Sequence, residues 1–374
     1  MLEKLKSKQN SRLYYFKSNN KNFPSFKIKL ILFSILFITF ILFYFEIFTQ
    51  KKLLFNRILQ RKKIEKNFFF NKKKEEIKYC KKFGILIYNY SLYKIKLKSS
   101  MNIGDYIQSL AALQFLPKNC QPIFIDRDEF ELYQGENIKL IMNGWYLLKY
   151  KNKKVPDNIS PIYLSVHINN ANKLDSISIN NLKKYQPIGC RDLYTLNSLK
   201  KYGIDAYFSS CLTTTLDIDY LANDIERTNE IIFIDYHFGY NTSIDNYIKS
   251  LKSYNFSKII HTKHNFKLNL PLYERFKMAK NLIDKYARAK LVITTRLHGA
   301  LPCLALHTPC IFVNKHFNRR LDGLYQILNT VGINSTNQFN INVKFDNNNF
   351  VINPTLYLNY SNKLKEDLKK LINL

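Results

Sequence analysis

Short apolar runs alternate with longer amphipathic stretches along most of the chain. The runs fall at residues 84–90, 122–126, 138–142, 162–166, 206–208, 230–235, 258–261, 291–293 and 310–313. Stretches with helical periodicity lie between several of them, at 106–115, 193–202, 244–254, 273–289 and 300–306. Runs this short, bounded by turn residues, fit strands buried on both faces of a parallel sheet. Strands that alternate with helices predict βαβ units. Two such sets follow one another, at 83–215 and 216–374. The pattern therefore predicts an α/β protein with two Rossmann-like halves facing a cleft.

Residues 30–48 are different in kind. They are almost continuously apolar, with Glu46 as the one charge, and their length is close to the roughly 20 residues that span a bilayer. A helix buried in a soluble domain would not be so uniformly apolar. A cleavable signal peptide has a shorter apolar core and a small-residue cleavage site, and neither is present. The reading is a transmembrane signal anchor, preceded by a basic tail at 1–29 and followed by a charged stem at 49–82.

Charge follows the same division. The net charge is +30, and residues 1–82 hold 21 Lys and Arg against 5 acids, which leaves +14 for the rest. Nucleic-acid binding is the usual reading of such an excess. Here no zinc-ligand spacing and no RNA-binding aromatic motif accompanies it, and the excess flanks the apolar run. Attraction to a membrane surface accounts for that placement better, so the membrane is the expected partner and nucleic acid is not. Basic residues lie on both sides of the run about equally, so the charge encodes orientation poorly.

Candidate chemistry gathers at 287–313. Strand 291–293 passes through a polar loop, 294–299, into the helix at 300–306. Open α/β sheets place ligands at such points, where a loop leaves the carboxyl end of a strand. Arg296 offers a planar fork suited to carboxylate or phosphate. His298 can exchange a proton near neutral pH, and Gly299 lets backbone come close to a ligand. An isolated Arg and His in a loop are more often surface residues than catalysts, but these lie between two apolar segments, which favours a cleft. A buried Arg needs a partner, and no Asp or Glu occurs between 285 and 317. That partner is either a bound anion or an acid elsewhere in the chain.

Other polar groups sit at strand ends. Asn102-Ile103-Gly104-Asp105 precedes a helix, and Asp105 and Gln108 are spaced like a capping box. Asp105 caps the helix, faces a substrate, or does both. Arg191 and Asp192 form a local ion pair, or Arg191 is free for a ligand. The hydroxyl-rich 209–215 lines the cleft or satisfies a loop backbone. Trp145 and His167 read first as packing residues. The basic loop 314–320, with Lys315, closes over a phosphate or is simply solvated. His261 and His264 lack a third ligand, so no metal site is predicted.

Three of these segments resemble a known family. Residues 287–302, A-R-A-K-L-V-I-T-T-R-L-H-G-A-L-P, resemble the C-terminal signature of the polysaccharide pyruvyltransferase family. The P-I-G-C-R-D of 187–192, running to 207–213, resembles its middle motif, and N-I-G-D at 102–105 its N-terminal one. The three occur in order within residues 84 to about 330. The resemblance implies a GT-B-like arrangement of the two halves. It implies transfer of the pyruvyl unit of phosphoenolpyruvate to a sugar of a polysaccharide or glycan, as a ketal across two hydroxyl groups. Phosphoenolpyruvate is then the donor substrate, and no cofactor or metal is implied. Arg191 and Arg296 are the implied anion contacts, His298 the proton-handling residue, and Gly104, Asp105 and Lys315 further substrate-binding candidates. By analogy with luminal sugar-modifying enzymes, the expected topology is type II, with the catalytic region in the Golgi or ER lumen. Two rivals stay open. One is a nucleotide-sugar-dependent glycosyltransferase on the same architecture, which calls for a ribose-binding Asp or Glu in the second half. The other is a non-catalytic carbohydrate-binding protein.

Overall fold

The computed structural model describes residue 40 and residues 78–89, 100–116, 120–146, 154–217, 226–239, 241–256, 259–267, 270–334 and 336–372. The chain divides into two compact units, Met1–Lys66 and Asn67–Leu374. Of the first unit only Phe40, helical and exposed, is described. The rest of the expected anchor at 30–48, the tail at 1–29 and the stem up to residue 77 lie outside the described residues. Among those described, no helix is long and apolar enough to cross a membrane.

In the second unit the chain first runs through β1 (Lys78–Ile87), β2 (Ser100–Asn102), α1 (Gly104–Leu113), β3 (Cys120–Asp126), β4 (Ile138–Ile141) and β5 (Gly144–Tyr146). It continues through β6 (Ile159–Ile162), β7 (Val166–Ile168), α2 (Ser176–Lys184), β8 (Ile188–Cys190), α3 (Leu193–Lys201) and β9 (Ala206–Phe208). Two four-stranded sheets result, ordered β3-β1-β4-β6 and β5-β7-β8-β9. Every pairing in them is parallel. Met142 N–H donates to the Ile162 carbonyl, and Gly189 N–H to that of Tyr163, so one sheet runs into the other. The run expected as one strand at 162–166 is broken here. Ser165 adopts a left-handed φ of 58° and donates its N–H to Ser209 Oγ across the break.

The second half repeats the plan. It contains β10 (Ile231–Ile234), α4 (Thr242–Lys249), β11 (Ile259–Thr262), β12 (Asn265–Lys267), α5 (Leu272–Arg288), β13 (Leu291–Thr294), α6 (Leu297–Ala305) and β14 (Cys310–Asn314). After them come β15 (Thr330–Ile333), β16 (Phe339–Asn342), β17 (Lys344–Phe345), β18 (Val351–Ile352) and α7 (Tyr357–Ile372). Six strands form one sheet, β11-β10-β13-β14-β15-β16, parallel except for β16 at its edge. Strands β10, β13 and β14 are buried along their whole length. That is why they read as unbroken apolar runs rather than alternating ones. The mixed α/β fold with parallel sheets is consistent with the two expected Rossmann-like halves.

The halves are fastened together at several places. Strands β2 and β12 pair antiparallel, Asn102 opposite Asn265, and Ile103 N–H donates to the His264 carbonyl at 2.8 Å. From α5, the buried Arg275 donates to Tyr106 Oη at 2.8 Å and to the Leu270 carbonyl at 2.8 Å. Helix α7 crosses back to the first half, where Ser361 Oγ donates to the Thr214 carbonyl and Tyr360 packs edge-on against Phe208.

Gly332 marks the tightest strand contact. It sits in β15 opposite Asn314 with a φ of 136°, and a Cβ there would collide with the Asn314 carbonyl. Gly332→Ala adds left-handed strain to overpacking, and should destabilise the fold by about 2 kcal/mol or more. Thermal melting of the purified variant checks this, with a Tm several degrees below the wild type expected.

Candidate active site

The carboxyl ends of β10 and β13 place the first group. Strand β13 ends at Thr294, whose Oγ1 accepts the Arg296 N–H at 2.9 Å. The Arg296 side chain then meets Asp235, at the end of the neighbouring strand β10, with Nε 2.7 Å from Oδ2. The acid that local sequence lacked therefore comes from the adjacent parallel strand. This contact uses Nε alone, and among the described residues both terminal nitrogens of the fork are left for another acceptor.

Helix α6 begins three residues earlier than its apolar pattern suggests, so His298 and Gly299 lie in its first turn rather than in a loop. His298 is buried, and its Nε2 has no protein partner among the described residues. Burial above all, then the charge of Arg191 and the neighbouring His264 and Arg320, hold its pKa well below the usual histidine value. It is accordingly neutral near pH 7.

Gly104 explains how the two halves can share this site. A Cβ on Gly104 would lie 3.0 Å from His298 Cβ and 3.1 Å from both Asn102 Oδ1 and His264 Nδ1. Gly104 opens α1, and its N–H is taken by Asn102 Oδ1 at 3.0 Å. The expected capping box is therefore displaced: Ile103 holds the cap position, and Asp105 lies inside the first turn, where its Oδ1 accepts from Gln108 Nε2. Asp105 is buried and close enough to Arg320 to oppose the lowering of that residue's pKa.

Arg191, at the end of β8, is 2% exposed, and its Nε has no partner among the described residues. The ion pair with Asp192 does not form. Asp192 instead caps α3 by accepting the Thr195 N–H, and its other oxygen lies 2.6 Å from His167 Nδ1. His167 thus has a structural partner, as expected of a packed histidine.

Lys315 lies exposed just after β14. The residue of that basic loop that turns inward is Arg320. Its guanidinium carbon sits 5.2 Å from the centre of the Trp145 ring, and its buried Nε has no partner among the described residues. Burial and the charges of Arg191 and Arg296 lower its pKa. The signal for Arg320 was the basic character of residues 314–320. Only the turn at Arg319–Leu321 selects it over Lys315.

Among the hydroxyls of 209–215, Thr214 and Thr215 bond to local carbonyls, while the buried Ser210 Oγ has no partner among the described residues. His261 is exposed and His264 fully buried, so the two do not share an environment. Among the described residues, no group of three His, Cys, Asp or Glu could hold a metal ion.

The charges of Arg191 and Arg320 thus act on a neutral His298 at the first turn of a helix, and Arg296, two residues before it, acts on Arg320. Such an arrangement can hold a small, dense anion and set a proton carrier beside it. Gly104→Ala tests the close approach. Alanine suits a helix better than glycine, by up to about 1 kcal/mol, so the fold should survive. The added methyl must displace His298 or His264 by a few tenths of an ångström, and turnover should fall by about tenfold or more at near-normal Tm. Parallel melting and activity measurements check both halves of that expectation.

Comparison with known proteins bears on the family of the chain. No curated protein matches the chain. A functionally uncharacterised protein from Klebsiella pneumoniae subsp. pneumoniae NTUH-K2044, of solved structure, is similar over 76% of this chain and 98% of its own, at 16% identity and a TM-score of 0.41. A likeness so distant adds nothing to the reading of the site. The polysaccharide pyruvyl transferase family profile matches residues 102–316, which include Gly104, Asp105, Arg191, Asp235, Arg296, His298 and Lys315. With more than half of its length matched, this chain belongs to the polysaccharide pyruvyl transferase family and is a transferase.

Proposed function

We propose that the enzyme takes phosphoenolpyruvate as its donor and sets the pyruvyl unit as a ketal across two hydroxyl groups of a sugar in a glycan. The observation that carries this reading is the group of buried nitrogens without partners among the described residues: Arg191 Nε, Arg320 Nε and His298 Nε2. Phosphoenolpyruvate presents a phosphate and a carboxylate, and charged hydrogen bonds to such groups contribute roughly 1.5–3 kcal/mol each. Arg191 and Arg296 grip the two anionic ends, and Arg320, whose charge acts on His298, adds a third positive group.

The chemistry then has four parts. A proton adds to the methylene carbon and makes C2 electrophilic. One sugar hydroxyl bonds to C2 and loses its proton, and the C2–O bond to phosphate breaks. A second hydroxyl closes the ketal and loses its proton in turn. Of the two protons released, one balances that taken up by carbon and the other leaves with phosphate. His298 is the proton-handling residue. Its neutrality in the free site comes from burial and neighbouring guanidinium groups, and a bound anion offsets the latter, raising its affinity for a proton. Arginine supplies positive charge throughout, and the sequence gives no reason to invoke a cofactor. The two halves form a GT-B-like cleft in this reading, with the acceptor glycan entering from the solvent side.

Incubation with phosphoenolpyruvate, or with a panel of nucleotide sugars, and a glycan acceptor tests the donor. Phosphate release from phosphoenolpyruvate is the expected result, and consumption of a nucleotide sugar instead would overturn it. His298→Gln should keep the fold and most donor affinity while turnover falls by roughly 10²–10⁴-fold. Normal turnover in that variant would remove His298 from the mechanism.

The apolar run at 30–48 and its basic flanks support a single signal anchor. It would place the catalytic region in the Golgi or ER lumen as a type II membrane protein. The protein should then resist carbonate extraction, and residues 83–374 should be protected from protease in sealed vesicles. Release into the carbonate supernatant would refute the anchor, and digestion in intact vesicles would refute the orientation.

A further inference from the structure

The residue that holds Arg296 is itself tied down through one side-chain oxygen and both backbone groups. Asp235 Oδ2 accepts from Arg296 Nε at 2.7 Å and from the His264 N–H at 3.1 Å. Its backbone carbonyl accepts from Thr295 Oγ1, and its backbone N–H donates to the Thr262 carbonyl. Its φ is 50°, a left-handed conformation in which Asp and Asn are among the few side chains commonly found. Such backbone persists where the surroundings over-determine it, and it clusters at functional sites.

We propose that Asp235 is a positioning residue for the anion site, acting on substrate through Arg296. The proposal rests on the reading that Arg296 grips the donor. A single acceptor on Nε fixes the plane of the guanidinium while sparing its two terminal nitrogens, the edge that makes a two-pronged contact with carboxylate or phosphate. The same oxygen anchors the peptide of His264, from which β12 leaves to pair with β2. Asp235 therefore sets the Arg296 fork and the strand crossing to the first half from one atom. Its negative charge also offsets one of three guanidinium groups that face one another, since Arg191 and Arg296 both act on Arg320.

Asp235→Asn is the discriminating variant, because asparagine keeps the size and tolerates the left-handed backbone while removing the charge. In the full-length protein, KM for phosphoenolpyruvate should rise by roughly 10- to 100-fold with kcat within a few-fold, the scale of a misplaced substrate contact. In an Arg296→Ala background the same substitution should leave KM almost unchanged, because the group it positions is already gone. A merely structural Asp235 would instead lower Tm and act equally in both backgrounds, and that result would overturn the proposal.

A second measurement does not depend on the donor. The Arg296 Nε–H resonance of ¹⁵N-labelled protein, identified by its loss in Arg296→Lys, should be resolved and slow to exchange in the wild type. It should lose that protection in Asp235→Asn. An unchanged resonance would refute the pair. If phosphoenolpyruvate is not consumed yet the resonance behaves as expected, the donor reading fails and the role of Asp235 toward Arg296 stands.

Discussion

The site depends on how closely the first turn of α1 approaches the first turn of α6. Gly104 eases that approach, because a Cβ there would press on His298, His264 and Asn102 at 3.0–3.1 Å. Two sheets from successive parts of the chain each bring ligand-type residues to their carboxyl ends. They become one site only where those ends meet without an intervening Cβ. The β2–β12 ribbon and the bonds from Arg275 hold the meeting point in register.

Electrostatics follows from this closeness. Three guanidinium groups near one another in a partly buried space repel, and burying any one of them without a partner is costly. The structure offsets part of that charge with Asp235 against Arg296 and with the nearby Asp105. It leaves Arg191 and Arg320 each with a buried Nε that no group among the described residues satisfies. His298 responds to the same field by staying neutral. A transferase of this family works on a glycan, and a site with this imbalance suits an anionic co-substrate far better than a neutral one.

Much of this was legible in the sequence, and the exceptions have physical causes. Strands β10, β13 and β14 were plain because burial on both faces leaves only apolar side chains. Arg191, Arg296 and His298 were identifiable because their motifs are short and stand at strand ends. The partner of Arg296 was not, because parallel pairing brings together residues distant in sequence, and Asp235 lies 61 positions away. Helix α6 was placed too late because its first turn is polar on the cleft side, which reads as loop. Asp105 could be read as a helix cap or as facing a substrate; Asn102 satisfies the first helical N–H, and Asp105 lies inside the first turn, accepting from Gln108. Lys315 and Arg320 share one basic stretch, and composition alone does not say which of them a tight turn will point inward.

The return of α7 to the first half carries a consequence for how the protein is made. Ser361 and the Thr214 carbonyl it meets lie 147 residues apart. A ribosome adding roughly 5–20 residues per second needs on the order of ten seconds to cover that distance. Throughout that interval the first half has emerged while the surface around Phe208 and the 212–215 turn has no helix to cover it. Early parallel strands are thus complete before their outer layer exists, the circumstance in which nascent chains draw on chaperones. The enzyme's yield in a cell should depend on synthesis rate and on chaperone supply as well as on the stability of the finished fold.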